Sequence, residues 1–180
     1  MSTIKVHDKY FVPYLSENDI QQKIQQLALK LHDDYNHAKP LFIAILNGSF
    51  MFASDLFQEL SIEAEICFIK LASYKGTKSS GHVITAIGLD MDLYGRHVVI
   101  LEDIIDTGKT LSHFLPQLKH QQPASMRIVS LLHKPDARVF PIEPDYTGFT
   151  IPNKFVIGYG LDYNGLGRNN NAIYQLKADN

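Results

Sequence analysis

The chain has 180 residues, 45% of them apolar and 20% charged, and its 17 Lys and Arg against 19 Asp and Glu leave a net charge of −2. This length and composition are typical of one domain with a packed core, so we expect a single domain over residues 1–180 and exclude intrinsic disorder. The chain lacks the basic surplus that binding to a phosphate backbone requires, which argues against a nucleic acid partner.

The first half of the chain predicts a helix followed by a strand–helix–strand unit. Ser16 and the acidic residues after it are typical of a helix N-cap, and apolar residues then recur at helical spacing as far as Leu31. An apolar run over residues 41–46 is too short for a buried helix and predicts a central parallel strand. Apolar spacing then predicts a helix over residues 50–60 and a strand over residues 65–71, which completes a βαβ unit.

The second half of the chain predicts mainly strands. A polar, glycine-bearing stretch over residues 73–82 predicts a mobile loop. Apolar spacing from Leu111 to Leu118 predicts a helix that Pro116 kinks or shortens, because a proline beyond the first turn removes a hydrogen bond. Together the elements predict an α/β fold with a mainly parallel central sheet. The further strands are predicted at residues 83–89, 98–101, 127–132 and 154–158.

The lengths of the apolar runs, the first residues and the single cysteine together predict the cellular compartment of the protein. The longest apolar runs are far shorter than the roughly 20 residues of a membrane-spanning helix. The first residues lack the basic start and apolar core of a secretory signal. The single cysteine, Cys67, has apolar neighbours and is expected to be a buried, inert thiol in a reducing compartment. We therefore expect a cytoplasmic protein without a membrane partner.

The richest segment for chemistry follows the strand predicted at residues 98–101. It contains the adjacent acids Glu102 and Asp103, then Asp106, and then a Thr-Gly-Lys-Thr turn at residues 107–110 that opens a helix. Backbone N–H groups and the dipole at a helix N-terminus favour a phosphate group, so this turn is predicted to bind a monophosphate. The turn is not a P-loop, because Asp103 stands where that pattern requires glycine.

The acidic pair beside this turn narrows the class of ligand. Glu102 and Asp103 would repel a phosphate unless they bind hydroxyl groups or a hard cation such as Mg²⁺, which takes few carboxylates and shares the oxygens of the ligand. A sugar phosphate with a free vicinal diol satisfies the turn and both acids. The segment therefore predicts a sugar phosphate site rather than an ATPase or kinase site.

Residues 99–111 resemble the phosphoribosyl-pyrophosphate signature of the purine phosphoribosyltransferase family, in the form of its hypoxanthine-guanine members. Further segments that resemble the family follow in its order from Leu46 to Arg168, about two thirds of the chain. The resemblance implies a type I phosphoribosyltransferase fold, in which helices flank a mainly parallel central sheet and terminal segments form a small hood.

The same resemblance implies a purine-salvage enzyme. Such an enzyme transfers the 5-phosphoribosyl group from phosphoribosyl pyrophosphate to N9 of hypoxanthine, and of guanine, and gives IMP or GMP with pyrophosphate. The implied partners are therefore phosphoribosyl pyrophosphate and a 6-oxopurine. The implied cofactor is Mg²⁺, and the implied assembly is a homodimer or homotetramer.

The resemblance gives the residues after the central strand specific roles. Glu102 and Asp103 would hold the ribose hydroxyls and one Mg²⁺, and Asp106 would act as general acid–base catalyst at N7 of the purine. Asp106 also fits a helix N-cap, and both roles can hold in part. The residues implied to bind the phosphoribosyl group and its 5′-phosphate are Glu102, Asp103, Asp106, Thr107, Gly108, Lys109 and Thr110.

Three segments are implied to bind pyrophosphate. Leu46-Asn47-Gly48 resembles the pyrophosphate-binding turn, which in the family contains a non-proline cis peptide. Ser73-Tyr74 with Ser80-Gly81 resembles the flexible loop that closes over the site and excludes water. Arg168 matches the arginine that meets pyrophosphate, and Asp162 is implied to lie near a second Mg²⁺. The implied pyrophosphate-binding residues are Asn47, Gly48, Ser73, Tyr74 and Arg168, and the implied Mg²⁺ ligands are Glu102, Asp103 and Asp162.

The purine-binding residues come from two later segments. Lys134 resembles the lysine that donates to the 6-oxo group, and Phe155 the aromatic residue that stacks on the purine. Backbone carbonyls near Val156 and Asp162 would read the amino group of guanine. The implied purine-binding residues are Lys134, Phe155, Val156 and Asp162.

Two alternatives stay open at the level of the sequence. A regulatory protein on the same fold would sense phosphoribosyl pyrophosphate and bind nucleic acid, but the net charge of −2 argues against it. A member that prefers xanthine is compatible with Lys134, whereas an adenine enzyme is not, because an ammonium group cannot accept from an exocyclic amine. Residues 169–171 read Asn-Asn-Asn where bacterial members often read Asn-Leu-Pro, so we expect a looser exit from the site.

Overall fold

The computed structural model of the chain describes residues 2–74 and 83–178. In these ranges it has three α-helices, which are α1 (Glu17–Tyr35), α2 (Phe50–Glu59) and α3 (Lys109–Lys119), and a 3₁₀ turn at Pro135–Ala137. The strands are β1 (Ile4–Val6), β2 (Lys9–Leu15), β3 (Leu41–Leu46), β4 (Glu65–Tyr74), β5 (Val83–Ile87), β6 (His97–Ile105), β7 (Ser125–His133), β8 (Tyr146–Thr150), β9 (Val156–Ile157) and β10 (Ile173–Leu176).

The main sheet has six strands in the order β5-β4-β3-β6-β7-β8. Its last five strands are parallel, and β5 joins one edge antiparallel to β4. This arrangement confirms the predicted mainly parallel α/β sheet and the βαβ unit formed by β3, α2 and β4. Because the five strands run in one direction, their carboxyl ends meet at a single edge of the sheet.

The sheet is buried on both faces, as its continuous apolar strands require. Along β3, Phe42 and Ala44 pack in one apolar cluster with residues of α1 and α2. The alternate residue Ile43 packs on the other face with residues of α3, such as Phe114. The period-2 alternation of the strand thus places one helical layer on each side of the sheet.

The terminal segments form a separate small sheet in the order β1-β2-β10-β9. Its antiparallel strands enclose an apolar cluster that includes Phe11 and Ile157. The resemblance to the family implied this hood, and the structure confirms it. Apolar periodicity did not predict β1, β2 or β10, because β1 and β10 have only three and four residues and β2 pairs with β10 across more than 150 positions of the chain.

Helix α1 begins as its sequence predicts. The hydroxyl of Ser16 accepts from the Asp19 amide at 3.1 Å, and the Asp19 carboxylate accepts from the Ser16 amide at 3.1 Å. This reciprocal pair is a capping box, which satisfies two backbone groups at the start of the helix.

None of the helices in the described ranges has both the length and the apolarity to cross a bilayer.

Several predicted boundaries were wrong. The strand predicted at 98–101 extends to Ile105, because its polar end continues to pair with β7. The strand predicted at 154–158 is reduced to two residues. The helix predicted from Leu111 to Leu118 is α3, which contains Pro116 and ends at Lys119. Cys67, which the sequence predicts to be buried, is half-buried. Burial raises the pKa of its thiol, consistent with low reactivity.

The predicted mobile loop at 73–82 overlaps β4, which continues to Tyr74 and pairs with β5 from Tyr74↔Val83 to Lys70↔Ile87. The strand predicted at 83–89 is β5, which ends at Ile87. Residues 75–82 lie outside the described residues, so the loop stays a prediction.

Candidate active site

Most of the predicted site residues meet at the carboxyl edge of the parallel sheet. Asn47 and Gly48 directly follow β3, Asp106 directly follows β6, and Lys134 directly follows β7. Since these three strands are neighbours in the sheet, their ends bring together residues that lie almost 90 positions apart in the chain. Ligands of open α/β sheets bind at this edge, so the topology agrees with the predicted site.

The Thr-Gly-Lys-Thr turn opens α3 as predicted. The hydroxyl of Thr107 accepts from the Lys109 amide at 3.3 Å, and Gly108 is the N-cap residue with a φ of 75°. Gly108 also packs tightly, since a Cβ there would lie 3.2 Å from the side chain of Ile142. The N-cap position of α3 therefore belongs to Gly108 and not to Asp106, so the N-cap reading of Asp106 was wrong.

The turn lines a cavity of about 100 Å³ at the N-terminus of α3. This is the size of a small oxyanion, and the first amides of a helix together with its dipole favour negative charge there. The residues that line the cavity are Glu102, Ile104, Ile105, Asp106, Thr107, Gly108, Lys109, Thr110 and Leu111.

Asp106 and Lys134 are in contact. The Nζ atom of Lys134 lies 3.2 Å from Oδ2 of Asp106, and Lys134 is buried while the Asp106 side chain is 46% exposed. A buried ammonium group can donate three hydrogen bonds, so Lys134 can bind Asp106 and a second acceptor together. The pair therefore presents one cationic donor and one carboxylate to a ligand beside the phosphate turn.

Glu102 and Asp103 carry the strongest electrostatic perturbation of the site. Burial and the adjacent charge of Asp103 raise the pKa of Glu102 well above its usual range. Burial also raises the pKa of Asp103 to about 6, although backbone N–H groups and the charge of Arg168 act in the opposite direction. Two neighbouring carboxyl groups that resist ionisation favour a cation or hydroxyl donors as their ligands.

The chain approaches itself closely at Gly48. A Cβ on Gly48 would collide with the carboxylate of Asp103, and a Cβ on Gly160 would collide with the carbonyl oxygen of Gly48. The peptide between Leu46 and Asn47 is cis, as the resemblance implied for this turn. Glycine at positions 48 and 160 thus allows three segments of the chain to meet around one carboxylate.

Arg168 and Asp162 lie on the segment that contains Gly160. One guanidinium nitrogen of Arg168 lies 2.6 Å from Oδ1 of Asp162, and the other donates to the carbonyl of Gly160 at 2.6 Å. The second Asp162 oxygen accepts from the amide of Gly165 at 2.7 Å. A cation and a carboxylate are thereby fixed in a segment whose Gly160 touches the Gly48 turn.

Phe155 lies directly before β9 and is 44% exposed. Its ring contacts those of Tyr163 and Phe11, with centroids 5.8 and 6.2 Å away. Val156 is buried and pairs with Gln175 of β10. A half-exposed aromatic ring that its neighbours hold in place has a face available for stacking, as the sequence predicts.

Ser73 and Tyr74 form the backbone end of β4, and the structure describes neither their side chains nor residues 75–82. Their predicted contacts with pyrophosphate, and those of Ser80 and Gly81, therefore lie outside the described residues and stay predictions.

Two side chains that shape the site, those of Tyr159 and Asn170, were not predicted from the sequence. Tyr159 is fully buried between Gly158 and Gly160, and its hydroxyl binds Asp55. Asn170, in the triplet predicted to loosen the exit, donates its side-chain amide to the Gly167 carbonyl at 2.8 Å and so fixes this segment. The spacing of glycines around Tyr159 is the one sequence signal of a tight turn there.

The carboxylates of the site bear on whether it can hold the implied Mg²⁺. Within residues 2–74 and 83–178, no three His, Cys, Asp or Glu side chains are grouped to hold a metal ion. Mg²⁺ needs only one or two protein carboxylates when substrate phosphates supply other oxygens. Asp103, with Glu102 beside it and the charge of Asp162 acting on it, fits that requirement.

Comparison with known proteins agrees with this geometry. A family model described as phosphoribosyl transferase domain matches residues 14–164. The chain is 42% identical over 166 residues to the hypoxanthine-guanine phosphoribosyltransferase of Lactococcus lactis subsp. lactis (strain IL1403), which covers 92% of this chain and 90% of that protein.

Solved structures show the same relationship. A hypoxanthine phosphoribosyltransferase from Staphylococcus aureus superposes with a TM-score of 0.85 at 38% identity and covers 92% of this chain and 90% of that one. A variant of the Trypanosoma cruzi hypoxanthine phosphoribosyltransferase, solved as a ternary substrates complex, has a TM-score of 0.86 at 34% identity, with coverage of 92% and 94%.

The substitution Asp103→Asn should stabilise the ligand-free protein at neutral and alkaline pH. Because the folded state raises this pKa, the group favours folding below its ordinary pKa of 3.8 and loses that contribution as pH rises through about 6. The variant escapes this loss, which amounts to about 3 kcal/mol at most. Its advantage in Tm should therefore grow with pH up to about 6 and then level off.

Thermal unfolding without ligand, at pH values on both sides of this range, measures the effect. The matched control is Asp33→Asn, which neutralises an exposed carboxyl group on α1. A Tm difference for Asp103→Asn that does not vary with pH would contradict the raised pKa.

Proposed function

Because the chain belongs to the phosphoribosyltransferase family and has its type I fold, we propose that it is a purine-salvage transferase for 6-oxopurines. It transfers the 5-phosphoribosyl group from phosphoribosyl pyrophosphate to N9 of hypoxanthine or guanine and releases pyrophosphate. The observation that carries the choice of base is the contact between Lys134 and Asp106, 3.2 Å apart beside the phosphate turn. This pair offers a donor for a 6-oxo group and an acceptor for a ring proton.

The 5′-phosphate binds in the cavity at the N-terminus of α3. The amides and hydroxyls of residues 107–110 donate to its oxygens, and the helix dipole favours its charge. Glu102 and Asp103, near the carboxyl end of β6, accept hydrogen bonds from the two ribose hydroxyls. These contacts fix the sugar so that C1′ faces the purine.

The purine lies between Phe155 and the Lys134–Asp106 pair. Phe155 stacks on the ring, Lys134 donates to O6, and the backbone near Val156 and Asp162 meets the other edge of the base. As the N9–C1′ bond forms and the bond from C1′ to pyrophosphate breaks, Asp106 takes the proton from N7. The reverse reaction returns that proton from Asp106 to the purine.

The leaving pyrophosphate is bound on the side of the Gly48 turn. Backbone groups of Asn47 and Gly48, with the guanidinium of Arg168, bind the oxygens on which negative charge develops. Ser73 and Tyr74 complete this side in the proposal. Asp103, Glu102 and Asp162 would hold Mg²⁺ together with the substrate, and the cation would supply charge neutralisation between these acids and the polyphosphate and at the leaving group.

Other features of the proposal extend beyond the site. We propose one phosphoribosyltransferase domain over the whole chain, a cytoplasmic location and a homodimer or homotetramer. The composition supports a single domain, and the single Cys67 supports a reducing compartment. The proposed assembly follows from the resemblance to the family.

The decisive experiment is a panel of purine bases incubated with phosphoribosyl pyrophosphate and Mg²⁺, with nucleotide and pyrophosphate formation as the readout. Hypoxanthine and guanine should react, and adenine should not, because Lys134 cannot accept from its amino group. Reaction of xanthine alone would identify the alternative preference. Binding of phosphoribosyl pyrophosphate without turnover of any base would instead support a regulatory protein.

Chelation of divalent cations should abolish turnover. Glu102, Asp103 and Asp162 place up to three negative charges beside a polyphosphate substrate, and without a cation these charges repel it. The measurement is the initial rate before and after excess chelator, followed by addition of Mg²⁺. Full activity in chelator, with magnesium verified absent, would contradict the proposed metal requirement.

The substitution Asp106→Asn tests the acid–base role. It keeps the size of the side chain but removes its ability to take a proton, so kcat should fall about 10²–10⁴-fold. Tm should fall, because buried Lys134 keeps an amide oxygen as acceptor but loses the charge of its partner, so kcat is measured well below the Tm of the variant. Asp136→Asn, at an exposed acid two positions after Lys134, is the matched control. A near-normal kcat, with chemistry shown to limit the rate, would remove Asp106 from this role.

The substitution Phe155→Ala separates base recognition from phosphate binding. Loss of a stacking face costs about 1–3 kcal/mol, so KM for the purine should rise while affinity for phosphoribosyl pyrophosphate changes little. Phe68→Ala, which removes a ring of nearly equal exposure (43%) from β4, is the control. Equal losses for both substrates would show that Phe155 acts by holding the fold.

A further inference from the structure

The turn after β9 has a backbone conformation that side chains other than glycine rarely adopt. Gly158, Tyr159 and Gly160 have φ values of 96°, 49° and 95°, so three consecutive residues lie in left-handed regions. Glycine adopts these angles readily, but a residue with a bulky Cβ substituent does not. A tyrosine persists in this conformation only where its surroundings fix it.

The side chain of Tyr159 supplies such an anchor. The residue is 1% exposed, and its hydroxyl donates to Oδ2 of Asp55 at 2.5 Å. The same oxygen accepts from the side-chain amide of Gln21 at 2.6 Å. Burial and the hydrogen bond to Asp55 raise the pKa of Tyr159, so its hydroxyl remains a donor throughout the neutral range.

The anchor joins two segments that meet in the site. Asp55 lies on α2, the helix that starts two residues after Gly48. Gly160, the residue after Tyr159, packs with its Cα against the Gly48 carbonyl. The Gly160 carbonyl in turn accepts from Arg168 at 2.6 Å, and its amide donates to the Arg168 carbonyl at 2.9 Å.

The backbone of Tyr159 is held as well. Its amide donates to the carbonyl of Asn170 at 2.7 Å, two residues after Arg168. The turn is thus attached to α2 through a side chain and to the Arg168 segment through its backbone. A shift of Tyr159 would move Gly160 relative to Gly48 and Arg168 together.

We infer that Tyr159 is a positioning residue, whose hydrogen bond to Asp55 sets the distance between the Gly48 turn and Arg168 and thereby the affinity for the pyrophosphate half of the substrate. The inference rests on the proposed function. Tyr159 itself touches no substrate. It acts through Gly160, and the phosphate cavity at residues 107–110 stands on separate elements, β6 and α3.

The test compares Tyr159→Phe with wild type in three measurements, which are KM for phosphoribosyl pyrophosphate, Kd for ribose 5-phosphate and Tm. Ribose 5-phosphate carries no pyrophosphate and uses only the phosphate turn and the acidic pair. KM for phosphoribosyl pyrophosphate should rise about tenfold, because a displaced Gly160 turn would weaken one charge-assisted contact between Arg168 and the pyrophosphate, while Kd for ribose 5-phosphate stays within about twofold.

Tyr146→Phe is the matched control, because it removes another tyrosine hydrogen bond to a carboxylate, that of Asp34 on α1. Tyr146 begins β8, at the edge of the sheet opposite the site. This control should lower Tm less than Tyr159→Phe does, because its hydrogen bond is exposed, and it should leave both ligand affinities unchanged.

Asp55→Ala provides a second route to the same state. It removes the contact with Tyr159 together with the one from Gln21, so it should raise KM for phosphoribosyl pyrophosphate at least as much as Tyr159→Phe does, and the double variant should lose no more than Asp55→Ala alone. Multiplicative losses, an unchanged KM in Tyr159→Phe, or equal weakening of ribose 5-phosphate would each overturn the inference. Absence of turnover in wild type would overturn the proposed function instead, whereas turnover in wild type with a normal Tyr159→Phe would overturn the positioning role alone.

Discussion

The burial of two adjacent carboxyl groups at the end of β6 is the constraint around which the site is organised. Glu102 and Asp103 lie where a continuous apolar strand leaves the core, and burial raises both pKa values. Placing charge there is unfavourable unless a ligand supplies hydroxyl groups, a cation or both. Only glycine fits at position 48, because the Asp103 carboxylate occupies the space that a Cβ would take.

Three positive groups lie on segments close to this acidic centre in the fold, and each is proposed to bind a different part of the substrate. In the proposed function, the N-terminus of α3 favours the 5′-phosphate, Lys134 donates to the base, and Arg168 binds the leaving group. Each of these groups stands on a different connection of the sheet or on the segment after β9. The phosphate turn and Lys134 lie at the carboxyl edge of the parallel strands, and Arg168 lies on the segment whose Gly160 touches the Gly48 turn.

Predictability differs between the parts of the site. Residues 102–110 could be identified because they are contiguous, and a strand, two acids and a glycine turn at a helix start carry their own physical signature. Lys134 and Phe155 have no such local signature, and only their order in the family pattern pointed to them. The anchor between Tyr159 and Asp55 was missed because the two residues are 104 positions apart and neither lies in a local motif.

The sequence by itself determined the continuous apolar strands, the N-terminal cap of α1, the parallel α/β core and the phosphate turn, because each depends on residues close together in the chain. Tertiary structure decided the rest. The strand from His97 to Ile105 is longer than the apolar run at residues 98–101 that predicted it, because the neighbouring strand β7 supplies hydrogen bonds to its polar end. The hood forms because β2 and β10 pair from opposite ends of the chain. Contacts of that range depend on the whole fold, and no local pattern encodes them.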